Sequence, residues 1–289
     1  MLRILIVGLL ALGGSRALAA QIVPITSCAG IALTNRQVGV LQNDLDCTVG
    51  ACVDAPAVTC HVDADCPSGQ CAGPAVANLA RGAKLDLNGH TVVGGAFPVS
   101  QLGYPAFGNV GILTTGPATI YGPGHLAGFD GAGGSIQERS STQPGRLYIH
   151  DLDIDSGPTG YAVFSTLRVL AKNVAIVNGN GFATAGTASL KNVTITNCLL
   201  GVTTGSLIGV NLVIHGCGLG IGMNGLIRLR LSNITGNGTV DVDHPFGSDI
   251  VTSIKPKLAA TTCNASFQAC GGNPTIPCAP SWGVCLHDQ

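Results

Sequence analysis

The sequence predicts an all-β solenoid of stacked coils, and three observations carry that expectation. Lys172 to Gly225 holds one phrase three times, KNVAIVNGNGFATAG, KNVTITNCLLGVTTG and VNLVIHGCGLGIGMNG. Val174, Val193 and Leu212 fall in one column and Ile176, Ile195 and Ile214 in another, each stepping by 19 residues. Units this short cannot bury their apolar faces alone and must stack. Composition is the second observation: only 10% of residues are charged and Gly numbers 42, which starves a helical bundle of helix-forming surface positions. The third is local. The echo matches the spacing of a leucine-rich repeat, yet GVTTGS and GIGMNG are strand and turn material and leave no segment for that repeat's helix.

In chain order, residues 1–20 read as a secretory signal, with Arg3, an apolar run from Ile4 to Leu12, and Ala17 to Ala20 before the cleavage point. The run is too short to span a bilayer. The mature chain is therefore expected to be secreted, periplasmic or on the cell surface, in an oxidising compartment where twelve cysteines read as disulfides. With 14 basic and 15 acidic residues, no charge excess draws the chain to nucleic acid or an anionic membrane.

Residues 21–75 form an expected N-terminal cap with a Cys-rich insertion. Gln21 to Asp46 alternates weakly and can supply a capping strand or two over the open end, with a helical cap as the alternative. Cys28, Cys47, Cys52, Cys60, Cys66 and Cys71 are an even set expected to pair among themselves. A metal reading through His61, Asp63 and Asp65 yields to this disulfide reading, because His61 stands alone among exported cysteines.

LDLNGHTVVGG, Leu85 to Gly95, is a half-buried strand, a turn at Asn88-Gly89 and a second short strand. Together with GILTTGPATIYGPGHLAGFDGAG, Gly111 to Gly133, and the Asn-bearing repeats, it resembles the right-handed parallel β-helix proteins of the pectate-lyase-like superfamily. That resemblance covers Val76 to Val242 and implies a right-handed parallel β-helix of about seven coils, with disulfide-rich extensions at both ends. It implies no single activity, since the superfamily holds lyases, hydrolases, epimerases and non-catalytic surface proteins.

Between Leu85 and the regular stack the spacing stretches, so residues 97–109 and 130–145 are expected to leave the coil as loops. Phe97, Tyr104, Phe107, Tyr121 and Phe129 cluster there. Phe97, Tyr104, Phe107 and Phe129, with Glu138, are candidates for ligand binding, the rings by stacking on sugar faces; the plainer reading is that they cover coil ends.

In the regular part, Asn173, Asn192 and Asn211 make a corner column able to pass amide hydrogen bonds from coil to coil. The same column explains Asn192 better than its glycosylation pattern does. Cys198 and Cys217 occupy one repeat position and are expected to pair. Asn233 stands where the stack wants isoleucine, so the repeat is read as ending near Val242. Residues 243–289 form a tail or cap whose Cys263, Cys270, Cys278 and Cys285 pair among themselves, with Trp282 plugging the end; it resembles the disulfide-closed tails of some exported β-helix domains.

A β-helix lyase needs acidic groups for calcium and a strong base, and a hydrolase needs convergent carboxylates. The candidate stripe is Asp151, Asp153 and Asp155, supported by Asp130 from the loop, with Arg139 or Arg146 as base. The coils beyond carry no further carboxylate beside that stripe. A polygalacturonase-like set is absent from the sequence, His125, His150 and His215 fall at different repeat positions, and no metal site or cofactor is expected; calcium enters only under the lyase alternative. The expected function is a non-catalytic scaffold that binds glycan or another partner. The alternatives are a polysaccharide lyase or epimerase and a purely structural, adhesive solenoid.

Overall fold

The computed structural model describes residues 20–52, 55–61, 63–67, 71–73, 75–95, 110–130, 134–138, 145–223, 225–238, 240–244, 257–270, 273–277 and 285–286. Strands dominate them, with one 3-10 turn at Asp63–Asp65. No helix among them is long and apolar enough to cross a membrane.

One parallel sheet winds into a nearly closed β-solenoid with three strand-lined faces. Ile31–Leu33, Ala77–Leu79, Ile112–Thr114, Ile136–Glu138 and Tyr161–Ser165 pair in sequence on the first face. Gln21–Ile25, Gln37–Leu41, Lys84–Asp86 and Thr119–Tyr121 do so on the second, followed by residues 146–150, 168–172, 187–191 and 206–210, then Ile227–Arg230 and Lys257–Ala259. The third face runs from Leu45–Cys47 through Thr91–Gly94 and His125–Ala127 to residues 152–155, 174–177, 193–196 and 212–215.

The two aliphatic columns read from the sequence are register partners, Val174 to Val193 to Leu212 and Ile176 to Ile195 to Ile214, all buried. The isoleucine column extends from Leu45 through Val92, Leu126 and Ile154, and beyond Ile214 to Ile234 and Cys263. Asn233 does not end it. The step there lengthens by one residue, so Ile234 keeps the core position and Asn233 turns outward. The extra residue enters between Met223 and Ile227, and because the side-chain period is two, that one-residue shift moves Ile234 instead of Asn233 onto the buried face. Pairing continues past Asp243, with Lys257–Ala259, Thr262–Cys263 and Ser266–Cys270 each laid on the turn before.

The corner between the second and third faces needs one residue at positive φ. Asp151, Asn173, Asn192 and Asn211 hold it at 59, 53, 53 and 52°, and asparagine and aspartate tolerate this region better than other non-glycine residues. Asn211 Nδ2 donates to Asn192 Oδ1 (3.2 Å) and Asn192 Nδ2 to Asn173 Oδ1 (2.9 Å), the amide ladder expected from the repeat.

Cys198 and Cys217 are bonded, with Cα atoms 4.2 Å apart. Cys28 bonds Cys47 and Cys263 bonds Cys285. Cys52–Cys66 and Cys60–Cys71 hold a small antiparallel insertion with its own buried cluster. The six N-terminal cysteines thus divide into one clamp on the solenoid and one two-disulfide knot. The remaining pairing proposed for the tail, Trp282 and the N-terminal signal lie outside the described side chains.

Candidate functional site

The coil turns the acidic candidates to three different corners. Asp151 lies between the second and third faces, Asp155 at the far end of the third, and Glu138 between the first and second. Asp155 lies four residue steps along the strand from Asp151, about 13 Å.

Each corner also uses its acid. Asp151 Oδ1 accepts Asn173 Nδ2 at 2.7 Å, and its Oδ2 accepts His150 Nδ1 at 2.7 Å. The bonds from Asn173 first and His150 second hold this carboxyl below its ordinary value. Asp155 Oδ1 accepts Asn178 Nδ2 (2.9 Å) and the Gly157 amide (3.2 Å). Asp130 is brought to the same corner, where it accepts the amide of Thr159 (2.8 Å) and its hydroxyl. Glu138 is 2% exposed and accepts the Thr166 amide (2.8 Å) and hydroxyl. Buried and bonded to the corner of the next coil, it is not a surface ligand group. Asp153, exposed like Asp151, stands on the strand face instead of at a corner, with His125 and Ala175 as register neighbours.

Phe129 also departs from its expected role. It is 2% exposed, and its ring fills the space that missing side chains leave at Gly94 and Gly111, where an added Cβ would strike it. It packs the core instead of meeting a sugar. Phe97, Tyr104, Phe107 and Arg139 lie outside the described residues. The sulfurs of Cys52, Cys60 and Cys66 come within 4.8 Å of one another, and disulfides consume all three. Beside them Asp65 accepts the His61 amide at 2.8 Å, a bond within the turn.

The second face gathers a group that sequence reasoning missed. Tyr121 and His150 are register partners stacked at 5.3 Å and 15°. Burial, then Asp86, raises the Tyr121 phenol above its ordinary value, so it remains a neutral hydroxyl. Next to this stack Tyr148 is 41% exposed, and Lys172 and Lys191 follow His150 up its column. Tyr148, His150, Leu170, Lys172, Ser189 and Lys191 border a shallow depression of about 370 Å³. The signal for it in the sequence is the Lys-Asn pair that recurs 19 residues apart, whose asparagine marks the corner and whose lysine marks this column.

No family model, curated protein or solved structure matches this chain. Its site must be read from its own residues.

Proposed function

We propose that the protein is an exported right-handed parallel β-helix that works as a non-catalytic scaffold, binding a glycan or another partner along a strand face. The observation that carries this reading is the engagement of Asp151, Asp155, Asp130 and Glu138 by their own corners. A lyase or hydrolase would have to spend those bonds to gather calcium ligands or an acid-base pair. Five disulfides among the described residues and the signal-like N-terminus support an oxidising, extracytoplasmic setting.

The test is incubation with uronate-rich, sulfated and neutral polysaccharides, with and without calcium. Retention on a polymer without unsaturated or new reducing ends is the expected result. Calcium-dependent product formation that Asp153→Ala abolishes would overturn it in favour of the lyase.

A further inference from the structure

Ten lysines and arginines fall within the described residues, and all ten belong to one side of the solenoid. Lys84, Arg146, Arg168, Lys172, Lys191, Arg228, Arg230 and Lys257 lie on second-face strands, and Arg36 and Arg81 stand at the corners that lead into that face. The acids go elsewhere. Asp44, Asp46, Asp153 and Asp155 are on or beside the third face, while the second keeps Asp86 and has Asp151 at its far corner. A chain of formal net charge -1 therefore presents a strongly basic strip.

The strip has an order that mere solubility does not require. Tyr148, Leu170, Ser189 and Ile208 make the largely uncharged middle of a central outward column, which Lys84 and Thr119 precede and Arg228 and Lys257 continue. Arg146 and Arg168 flank it on one side; His150, Lys172, Lys191 and Arg230 lie on the other. The flanks are each two residues from the centre, about 7 Å along an extended strand. Arg146 and Arg168 are direct register partners, as are Lys172 and Lys191, and Arg228 and Lys257. Like charges placed opposite one another on neighbouring strands are destabilising. A polyanion laid along the column relieves that repulsion.

We propose that this face binds a linear sulfated polysaccharide, with sugar rings over the Tyr148 column and sulfate groups between the flanking cations. The proposal rests on the scaffold reading above and narrows it to a ligand class. Rungs repeat about every 4.8 Å, and the rungs of Arg168 with Lys172 and of Arg228 with Arg230 carry two cations each. The six rungs from Arg146 to Lys257 carry seven cations, with none on the 206–210 rung, so the doubly charged rungs are the places that would hold a sugar bearing more than one sulfate ester. Arginine's planar fork takes two oxygens of such a group at once. Tyr148 and the Tyr121–His150 stack supply ring faces and a hydroxyl beside the charges. A duplex nucleic acid carries a charge every ~1.7 Å and is wider than this single strip.

The experiment compares the full secreted chain on dextran sulfate and on unsulfated dextran, which share a backbone, with polygalacturonate, a dT20 oligonucleotide and phosphatidylserine vesicles as further arms. The expected result is retention on dextran sulfate that weakens with salt, and about tenfold or greater weakening for the exposed triple variant Lys172→Gln/Lys191→Gln/Arg230→Gln. The third-face Asp153→Asn variant should bind like the parent, and the charge-retaining Lys172→Arg/Lys191→Arg variant should keep the salt-sensitive retention that the triple variant loses. Equal retention on both dextrans, stronger retention on polygalacturonate, dT20 or vesicles, or indifference to the triple variant would each overturn the proposal. Neutral or uronate binding through another surface leaves the scaffold reading standing. Retention on no polymer overturns both.

Discussion

Asn173 Nδ2 reaches Asp151 Oδ1 across 2.7 Å, and that bond makes Asp151 the first rung of the asparagine ladder. The pair links a residue chosen from the sequence as a catalytic candidate to one chosen as a structural corner. Both occupy the same left-handed backbone position, at φ 59 and 53°.

A ladder rung and a catalytic acid respond differently to an amide. Asp151→Asn keeps an acceptor for Asn173 and a residue that tolerates positive φ, so stability should stay within about 0.5 kcal/mol of the parent. Asp151→Ala loses the acceptor and places Cβ in the unfavourable region, costing about 1–2 kcal/mol. Urea midpoints measure both; equal losses would remove Asp151 from the ladder.

Acid sensitivity follows from the same bond. The folded-state carboxyl of Asp151 is depressed by Asn173 and then His150, that of Asp44 by the Thr91 amide and then His90, and that of Asp46 by Thr48. A depressed carboxyl contributes stability above its unfolded value, about 3.9, and loses it as pH falls through the folded value. Melting temperature should therefore hold from neutrality to about pH 5 on account of these groups and drop below about pH 4. Asp151→Asn should flatten part of that drop in a melting series at constant ionic strength.

The ladder's other end is unfinished. Leu231 takes the corner after Asn211 at φ 53° and is 54% exposed, so it pays the left-handed cost and buries little. Leu231→Asn relieves the strain and offers an amide to Asn211, which should stabilise the fold by about 0.5–1 kcal/mol. A lower denaturation midpoint for this variant would count against the ladder.

Cys198–Cys217 closes 19 residues of chain between neighbouring rungs. Replacing both cysteines with alanine should cost on the order of 3 kcal/mol. Non-reducing peptide mapping should recover the two as one linked peptide, and linkage of either to a terminal cysteine would refute the register.

Legibility differed between the core and the site for a physical reason. Val174, Val193 and Leu212 announce themselves because burial demands an apolar residue at each recurrence, and a constant step converts directly into register. Glu138 and Phe129 misled because a carboxylate or a ring carries no mark of which way its corner turns. Gly94 and Gly111 were visible as glycines, but that their missing side chains make room for Phe129 is a contact between residues far apart in sequence.

By itself the sequence determined the winding: a 19-residue step, apolar columns, asparagine corners and the Cys198–Cys217 staple, all set by short periods along the chain. Only the tertiary structure decided the surface. Lys84, Arg146, Lys172 and Arg228 are spread over a 144-residue interval and look unremarkable in a chain with balanced charge. Coil lengths vary between them, so no fixed sequence period brings them together. Stacking does so, because the sheet pairs residues by rung and lays one basic strip along a single face.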